Sequence, residues 1–168
     1  MVLYGTTHRV GDNISTEQII APAYRDDDPA ILAAHCLEAV DAMLAEHVRE
    51  GDALLAGRGF GAGDDPESAV LALQALGIAA IIAASAAPSF TEMAHAFGLP
   101  VLIAPDAVSV IEAGTVARLD LERGTITDRT SNTVYYATPV PTDVVAAVQR
   151  AQLLNRMRRV VEEEGYDG

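Results

Sequence analysis

Hydrophobic positions in the central part of the chain fall into two alternating kinds of run. Short, continuous apolar runs at residues 53–56, 78–84 and 101–104 have the length of strands that are buried on both faces. The segments between them, at 67–76 and 88–97, are about ten residues long and helical in composition. Buried strands separated by such helices indicate βαβ units and a parallel sheet.

The flanking regions follow different patterns. Residues 2–10 predict a first strand, and a polar turn follows it. A helix is predicted over 28–40, with Asp28 as its cap and Pro29 at the first helical position. Later, three short segments with alternating polarity predict small antiparallel strands, and the chain closes on a helix that packs against its own domain or a partner. The three strand segments are 115–120, 124–127 and 132–137, and the closing helix is 139–164.

Length and charge narrow the class of protein. The chain has 168 residues, half of them hydrophobic, which fits one domain over 1–168. It has neither an apolar run of the ~18 residues that span a bilayer nor a signal-peptide pattern, so we expect a cytoplasmic protein without a membrane partner. A net charge of −13 argues against nucleic acid as a partner. The single cysteine, Cys36, excludes an internal disulfide or a self-contained iron–sulfur cluster.

A glycine-rich turn, GRGFGAGDDPESA at 57–69, lies between a predicted strand and a predicted helix. In open α/β sheets ligands bind beyond the carboxyl ends of the strands, and a helix N-terminus attracts anions. The turn also makes a complete helix start without any ligand, since Asp65 is a suitable cap, Pro66 fits the first helical position and Glu67 the first turn. Both interpretations stay open, although Asp64 and Asp65 oppose the binding of a simple anion.

Several motifs resemble one known family. The opening segment GTTHRVGDNISTEQII at 5–20 is similar to the start of the small subunits of isopropylmalate isomerase and homoaconitase. The glycine turn takes the place of that family's Gly-x-Gly-Ser-Ser-Arg-Glu-His-Ala, and the segments 77–85 and 98–100 continue the likeness over nearly the whole chain. The matching positions of the opening segment are Gly5, His8, Gly11, Asp12, Asn13, Ile14, Thr16 and Ile19.

The resemblance implies a fold, a partner and a reaction. The fold would be α/β, a swivelling β/β/α domain like the C-terminal domain of aconitase, made as a separate polypeptide. Family members pair with an aconitase-like large subunit that holds a [4Fe–4S] cluster, so no cofactor is expected in this chain. The pair moves a hydroxyl group on a small hydroxy-carboxylic acid by dehydration and rehydration.

Most departures from the family pattern fall in the glycine turn. The resemblance places Asp64 where the family has its catalytic serine, Asp65 at the second serine, Pro66 at an arginine that clamps a substrate carboxylate, and Ser68 at the histidine. A second family arginine is replaced by alanine, but Arg25 follows two residues later. Losing a bidentate arginine and gaining carboxylates both act against binding a carboxylate in the usual pose.

Three hypotheses follow. In the first, the chain is a hydro-lyase small subunit with altered specificity or mechanism, in which Asp64 and Asp65 are catalytic, because a carboxylate is an ordinary general base. In the second, it is a non-catalytic structural or regulatory subunit. In the third, Asp64, Asp65 and Glu67 hold a divalent cation. The substrate-binding residues expected under the first hypothesis are Arg25, Arg58, Gly61, Gly63, Glu67 and Ser68.

The remaining polar residues are expected to be structural. His8 is interpreted as a hydrogen-bonded histidine of the first strand, and Cys36 as a buried thiol. Asp12 and Thr16 are expected to form local turns rather than to be catalytic, because Asp and Thr side chains bond to nearby backbone. The three other histidines, on predicted helices, are expected at the surface: His35, His47 and His95.

Overall fold

The computed structural model describes residues 1–163 and contains one seven-stranded mixed sheet. Its strands are Val2–Arg9 (β1), Asp52–Ala56 (β2), Ile78–Ala83 (β3), Val101–Ile103 (β4), Val116–Asp120 (β5), Thr125–Asp128 (β6) and Val134–Tyr136 (β7). Their order across the sheet is β4-β3-β2-β1-β5-β6-β7. The first four strands are parallel to one another, whereas β5, β6 and β7 continue the sheet from β1 as an antiparallel meander.

Seven α-helices accompany the sheet in the described part of the chain. They are Thr16–Ile19 (α1), Pro29–His35 (α2), Leu44–His47 (α3), Pro66–Leu76 (α4), Pro88–Ala96 (α5), Pro105–Val110 (α6) and Thr142–Glu163 (α7). A short 3-10 turn at Pro22–Tyr24 links the first two helices. None of the helices over residues 1–163 is both long and apolar enough to cross a membrane.

Two hydrophobic clusters lie on opposite faces of the sheet. Successive residues of a strand point to opposite faces, and Leu54 of β2 belongs to one cluster while Leu55 belongs to the other. The first cluster is closed by α2, α4 and α5, through residues such as Leu73 and Phe90. The second is closed by α6 and the start of α7. Strand β2 is therefore buried on both faces, as its continuous apolar run predicts.

Local signals set the beginnings and ends of several helices as predicted. Asp28 caps α2 through a bond from the Ile31 N–H at 3.2 Å, and Asp65 caps α4 in the same way. Gly77 ends α4 with a φ of 111°, in the left-handed region that favours glycine. The predicted parallel and antiparallel strands are all present, with ends shifted by at most two residues.

Some predicted boundaries were wrong. The helix expected over 28–40 ends at His35, because Cys36 has an extended backbone and Leu37 takes a φ of 59°. The Leu37 N–H instead donates to the Ile19 carbonyl at 2.7 Å, so a tertiary contact overrides local helical preference. The closing helix begins at Thr142 instead of 139, and its expected end at 164 lies outside the described residues. The short helices α1, α3 and α6 were not predicted.

Candidate active site

The loops that follow β1 and β2 are hydrogen-bonded to each other at the carboxyl edge of the parallel strands. The Asn13 N–H donates to the Arg58 carbonyl at 2.7 Å, and the Gly61 N–H donates to the Ile14 carbonyl at 2.7 Å. The Thr16 N–H completes the series with a bond to the Ala62 carbonyl at 2.9 Å. The opening segment and the glycine turn, 46 residues apart, therefore form one structural unit.

The loop after β3 joins this unit through Ser85. The Gly59 N–H donates to the Ser85 hydroxyl oxygen at 2.8 Å, and the Phe60 N–H donates to the Ser85 carbonyl at 3.2 Å. The Ala87 N–H returns a bond to the Phe60 carbonyl at 2.8 Å. Three consecutive parallel strands thus send their loops to one place, where ligands bind in open α/β sheets.

Two side chains of the opening segment support the glycine turn directly. Asp12 Oδ1 accepts from the Arg58 N–H at 2.8 Å, and Oδ2 lies 3.8 Å from the guanidinium of the same residue. The hydroxyl oxygen of the buried Thr16 accepts from the Asp65 N–H at 3.4 Å. The prediction that Asp12 and Thr16 form local turns was wrong, because both bond to residues more than 40 positions away. Sequence spacing alone carries no signal of such contacts.

Two glycines of the turn are required by close packing as well as by conformation. Gly61 has a φ of 83°, and a Cβ added there would overlap the ring of Phe90. Gly63 has a φ of 142°, and its added Cβ would overlap the hydroxyl of Thr16. Both positions therefore shape the turn, and they do so without offering a side chain to a ligand.

The Asp65 carboxylate is fully engaged by its surroundings. Oδ1 accepts from the Ser68 N–H at 3.1 Å, and Oδ2 lies 2.8 Å from Nε of Arg25. Partial burial by itself would raise the pKa of Asp65, but bonds from the Ser68 hydroxyl and N–H, together with the Arg25 guanidinium, lower it below its usual value. Asp65 is thus held as an anion that caps α4.

The Asp64 carboxylate has a different environment. It is exposed, and among residues 1–163 it makes no hydrogen bond or ion pair. It lines a pocket of about 330 Å³ together with Arg25, Asp65, Glu67 and Ser68. Five of the eight predicted site residues therefore surround one pocket. Two further acids, Asp26 and Asp27, also line it, so carboxylates outnumber its single arginine.

The other three predicted site residues lie apart from this pocket. Gly61 and Gly63 shape the turn, and neither lines the pocket. Arg58, whose side chain is 79% exposed, lines a second and more open cavity of about 620 Å³ with Asp12 and Arg9. Sequence reasoning did not select Asn13 and Ser85, which hold the loops together; the family-like motifs containing them were the available signal.

The chain's own donors do not suit an iron–sulfur cluster. Cys36 is completely buried, and burial raises the pKa of its thiol well above the ordinary value, which disfavours the thiolate that a metal needs. Within residues 1–163, no group of three or more His, Cys, Asp or Glu side chains is placed to hold a metal ion. Asp64, Asp65 and Glu67 line a common pocket but do not form the cation site of the third hypothesis.

The histidines are mostly structural. His8 Nε2 lies 2.7 Å from Asp52 Oδ2, as expected for a bonded histidine of the first strand. His95 was expected at the surface, but it is half-buried and its Nε2 accepts from the Val101 N–H at 3.1 Å. Burial lowers the pKa of His95, which keeps the ring neutral and able to accept that bond. His35 stacks on Tyr24 with ring centroids 3.9 Å apart, and His47 is exposed.

Comparison with solved protein structures identifies the fold class of this chain. No protein-family model matches the chain. A crystal structure of 3-isopropylmalate dehydratase from Methanocaldococcus jannaschii superposes with a TM-score of 0.81 at 31% identity, over 99% of this chain and 100% of that chain. The expected fold class is confirmed: the chain has the aconitase-like swivel fold, with three interlocked loops at the carboxyl edge of its parallel strands.

The family follows from sequence relatives of similar length. The 3-isopropylmalate dehydratase small subunit of Caldicellulosiruptor saccharolyticus is 36% identical, over 99% of this chain and 97% of the relative. The 2,3-dimethylmalate dehydratase small subunit of Eubacterium barkeri is 37% identical, over 90% of this chain and 93% of the relative. The chain belongs to the family of 3-isopropylmalate dehydratase small subunits.

Proposed function

We propose that this chain is the small subunit of a two-chain hydro-lyase that acts on an alkyl-substituted malate. The observation that carries the proposal is the interlocking of the loops after β1, β2 and β3, which builds the family's glycine turn into a fixed unit at the carboxyl edge. The named relatives act on 3-isopropylmalate or 2,3-dimethylmalate, and both compounds are hydroxy-dicarboxylic acids that carry alkyl groups. Residues 1–168 would act as one domain that presents this edge to the partner.

The partner in this proposal is an aconitase-like large subunit that holds the [4Fe–4S] cluster. The buried thiol of Cys36 and the lack of a ligand group within residues 1–163 support placing the cluster on another chain. When bound in the partner, the cluster supplies Lewis acidity to the departing hydroxyl group. The present chain contributes a base and the walls of the substrate pocket.

Asp64 is the proposed general base. It occupies the family's serine position and lines the pocket, and its exposed carboxylate is free of other contacts within residues 1–163. Its carboxylate would take a proton from the carbon beside the hydroxyl-bearing carbon, the C–H electron pair would form the double bond, and the hydroxyl would depart with its bonding pair. Asp65 is better suited to positioning, because Ser68 and Arg25 already occupy its oxygens.

Substrate binding must differ in detail from the usual pattern. Pro66 stands at the family's arginine position, and Arg25 is paired with Asp65 at 2.8 Å. The pocket holds five acids, including Asp64 and Glu67, and a substrate carboxylate placed among them would be repelled. We therefore propose that the substrate turns a neutral alkyl group toward Asp64 and places a carboxylate near Arg25 or Arg58.

The first test is assembly and activity. The chain is co-expressed with the cluster-bearing large subunit of the same organism, and the purified pair is assayed on 3-isopropylmalate and 2,3-dimethylmalate. We expect a stable complex and turnover of at least one acid. A complex that assembles with its cluster intact and turns over neither acid would contradict the catalytic proposal for these substrates.

The second test concerns the base. Asp64→Asn keeps the size of the side chain and removes its proton affinity, so we expect kcat to fall by about 10²–10⁴-fold with little change in stability. Asp26→Asn is the matched control, since Asp26 is an exposed acid of the same pocket. Equal activity in the Asp64→Asn and Asp26→Asn complexes would show that Asp64 is not the base.

A non-catalytic subunit is the second candidate function, and one observation favours it. Asp65, Pro66 and Ser68 form a complete helix cap, and Arg25 neutralises the cap without any ligand. In that case the chain would bind the large subunit but turnover would not depend on Asp64. The two tests above therefore distinguish the candidates.

A further inference from the structure

The pocket at the start of α4, which Asp64 lines, has two apolar side chains in its wall, and we call it the acidic pocket. Its volume is about 330 Å³, and its lining residues other than Leu32 and Leu71 are charged or polar. Leu32, on α2, is buried, and Leu71, on α4, is 39% exposed. Within the described part of the chain, these two leucines are therefore the only apolar side chains that the pocket offers to a ligand.

A larger cavity adjoins the acidic pocket toward the end of α4. It has a volume of about 630 Å³ and lies between α2, α4 and α7, and we call it the α7 cavity. Asp27, Leu32 and Leu71 line both spaces, so the two spaces meet at these side chains. Asp27 is exposed, which leaves the two leucines as the inner wall of the junction. Further apolar side chains line the α7 cavity beyond the junction: Ala75, Ile78, Phe97, Leu99 and Val148.

Helix α4 forms the wall that runs from one space into the other. Ser68, Leu71 and Ala75 follow one another at spacings of three and four residues, so they share one face of the helix. Leu71 lies six residues after the cap residue Asp65, a distance of about 9 Å along the helix axis. Leu71 is therefore the first apolar side chain of α4 on the way from Asp64 to the α7 cavity.

The charged groups of the α7 cavity lie away from this junction or in water. Glu50 lies beside Gly77, where α4 ends, and its carboxylate pairs with the guanidinium of Arg159 at 2.5 Å. Arg156 and Arg158 also line the cavity, and both are exposed, so their charged ends can stay hydrated. The part of the cavity next to the acidic pocket is therefore apolar.

The proposed reaction fixes where an alkyl group of the substrate lies. In 3-isopropylmalate and in 2,3-dimethylmalate the hydroxyl group is on carbon 2, and carbon 3 carries both an alkyl group and a hydrogen. The proton that Asp64 takes is the one on carbon 3, so that alkyl group lies next to the Asp64 carboxylate. Charged groups that lose water against an alkyl group are destabilised, so the acids of the pocket disfavour it and the two leucines favour it.

We propose that Leu32 and Leu71 form the alkyl subsite of this enzyme, and that the α7 cavity lets the subsite accept unbranched alkyl groups longer than isopropyl. A volume of about 630 Å³ is within the usual range of small-molecule pockets, so a chain of several carbons fits. Leu71 determines the specificity, because its side chain stands where the acidic pocket widens into the α7 cavity. This assignment rests on the proposed hydro-lyase function with Asp64 as the base.

The range of substrates gives the first test. The chain, co-expressed with the large subunit of the same organism, is assayed on 2,3-dimethylmalate, 3-isopropylmalate and 3-n-pentylmalate. We expect kcat/KM for 3-n-pentylmalate to be within about tenfold of the value for the better of the two shorter acids, since the added methylenes gain apolar contacts in the α7 cavity. A larger loss, in a complex that is active on a shorter acid, would overturn the proposal.

A substitution at the junction gives the second test. Leu71→Trp fills the junction, so kcat/KM for 3-n-pentylmalate should fall by about tenfold or more, while the value for 2,3-dimethylmalate should change less than about twofold. Leu153→Trp is the matched control, because Leu153 is an exposed leucine of α7 that lines neither space, and it should leave the ratio of the two values unchanged. An unchanged ratio in Leu71→Trp would overturn the proposal.

A smaller side chain separates the effect on specificity from an effect on folding. Leu71→Ala places a strong helix former at an exposed position, so α4 is retained even if tryptophan is not tolerated there, and urea unfolding checks both variants. The alkyl contact is made in substrate and transition state alike, so KM for the better substrate should rise about three- to tenfold with kcat unchanged. An unchanged KM would contradict the alkyl subsite.

Failure of the proposed function has a different result. If the assembled complex with an intact cluster turns over none of the three acids, the proposed function fails and the subsite fails with it. If the complex turns over the shorter acids and the Leu71 variants leave the preference for alkyl length unchanged, the function stands and only the subsite fails.

Discussion

The two halves of the sheet differ in how their loops and faces are used. In the parallel half, β2, β3 and β4 are largely covered on both faces, and the loops after β1, β2 and β3 bond to one another. In the antiparallel half, only one face is covered. On the other face Val116 and Tyr136 are exposed, and so is Tyr4 of the neighbouring strand β1, which pairs with β5.

This difference indicates which half of the sheet should tolerate substitutions less well. The parallel half joins distant segments through hydrogen bonds and close glycine contacts, so the backbone of the turn from Arg58 to Gly61 is held by residues far away in the sequence. The antiparallel half has short hairpin connections and an open face, where a side chain has fewer neighbours. Substitutions should therefore cost more in the first region than in the second, and the following experiments test that expectation.

The largest effect is expected from Gly61→Ala. The added methyl group would overlap the Phe90 ring at a φ of 83°, which combines backbone strain with overpacking and should cost about 3 kcal/mol. Gly114→Ala, in the turn before β5, is the control because its φ of 89° is similar but nothing lies within 4 Å of the new Cβ. It should cost about 1 kcal/mol. Urea unfolding measures the free energy of unfolding of both variants. Equal losses of stability would contradict the expected difference between the two regions.

A smaller effect is expected from Asp12→Ala. Asp12 accepts from the Arg58 N–H at 2.8 Å, and hydrogen bonds to charged groups contribute about 1.5–3 kcal/mol, so the loss should be about 2 kcal/mol. The counterpart in the antiparallel half is Arg129→Ala, which removes an exposed cation–π contact with Tyr4 and should cost about 0.5 kcal/mol. The same unfolding assay applies, and the reverse order would contradict the comparison.

Asp65→Ala should destabilise the chain by about 1 kcal/mol, because alanine cannot accept the Ser68 N–H at the start of α4. Asp65→Ser keeps a capping oxygen and should recover most of that stability. Thermal unfolding compares the two variants. If serine gave no recovery, the contribution of Asp65 would come from Arg25 alone.

The smallest expected effect is a dependence of folding stability on pH, which comes from the carboxyl group of Asp65. The pKa of Asp65 is lower in the folded chain than its unfolded value of about 4, so its charge stabilises the fold above that pH and the contribution disappears as the pH falls through the lowered pKa. The stability difference between the original chain and Asp65→Asn should be constant from pH 8 to about 5 and shrink below about 4. It should also shrink in an Arg25→Ala background. A constant difference down to acid unfolding would contradict the assignment.

Site features that depend on neighbouring residues were predicted from the sequence, whereas those that depend on distant segments were not. The cap at Asp65 and Pro66 depends on local sequence only, and it was predicted from three consecutive residues, Asp65 to Glu67. The support that Asp12 and Thr16 give to the turn depends on distant chain segments, and local reasoning misassigned both. The sequence placed Arg25 among the binding residues, but its pairing with Asp65 became visible only in the folded chain.

The sequence by itself determined the succession of the strands and of the four longer helices, the caps of α2 and α4, and the family, because these depend on short patterns and ordered motifs. Tertiary structure decided that α2 stops at His35. It also decided that Asp65 is an occupied cap, while Asp64 lines the pocket without a hydrogen bond or ion pair among residues 1–163. The reason is physical. Hydrogen bonding and burial of a side chain depend on which distant segments come within a few ångströms, and no local pattern encodes that distance.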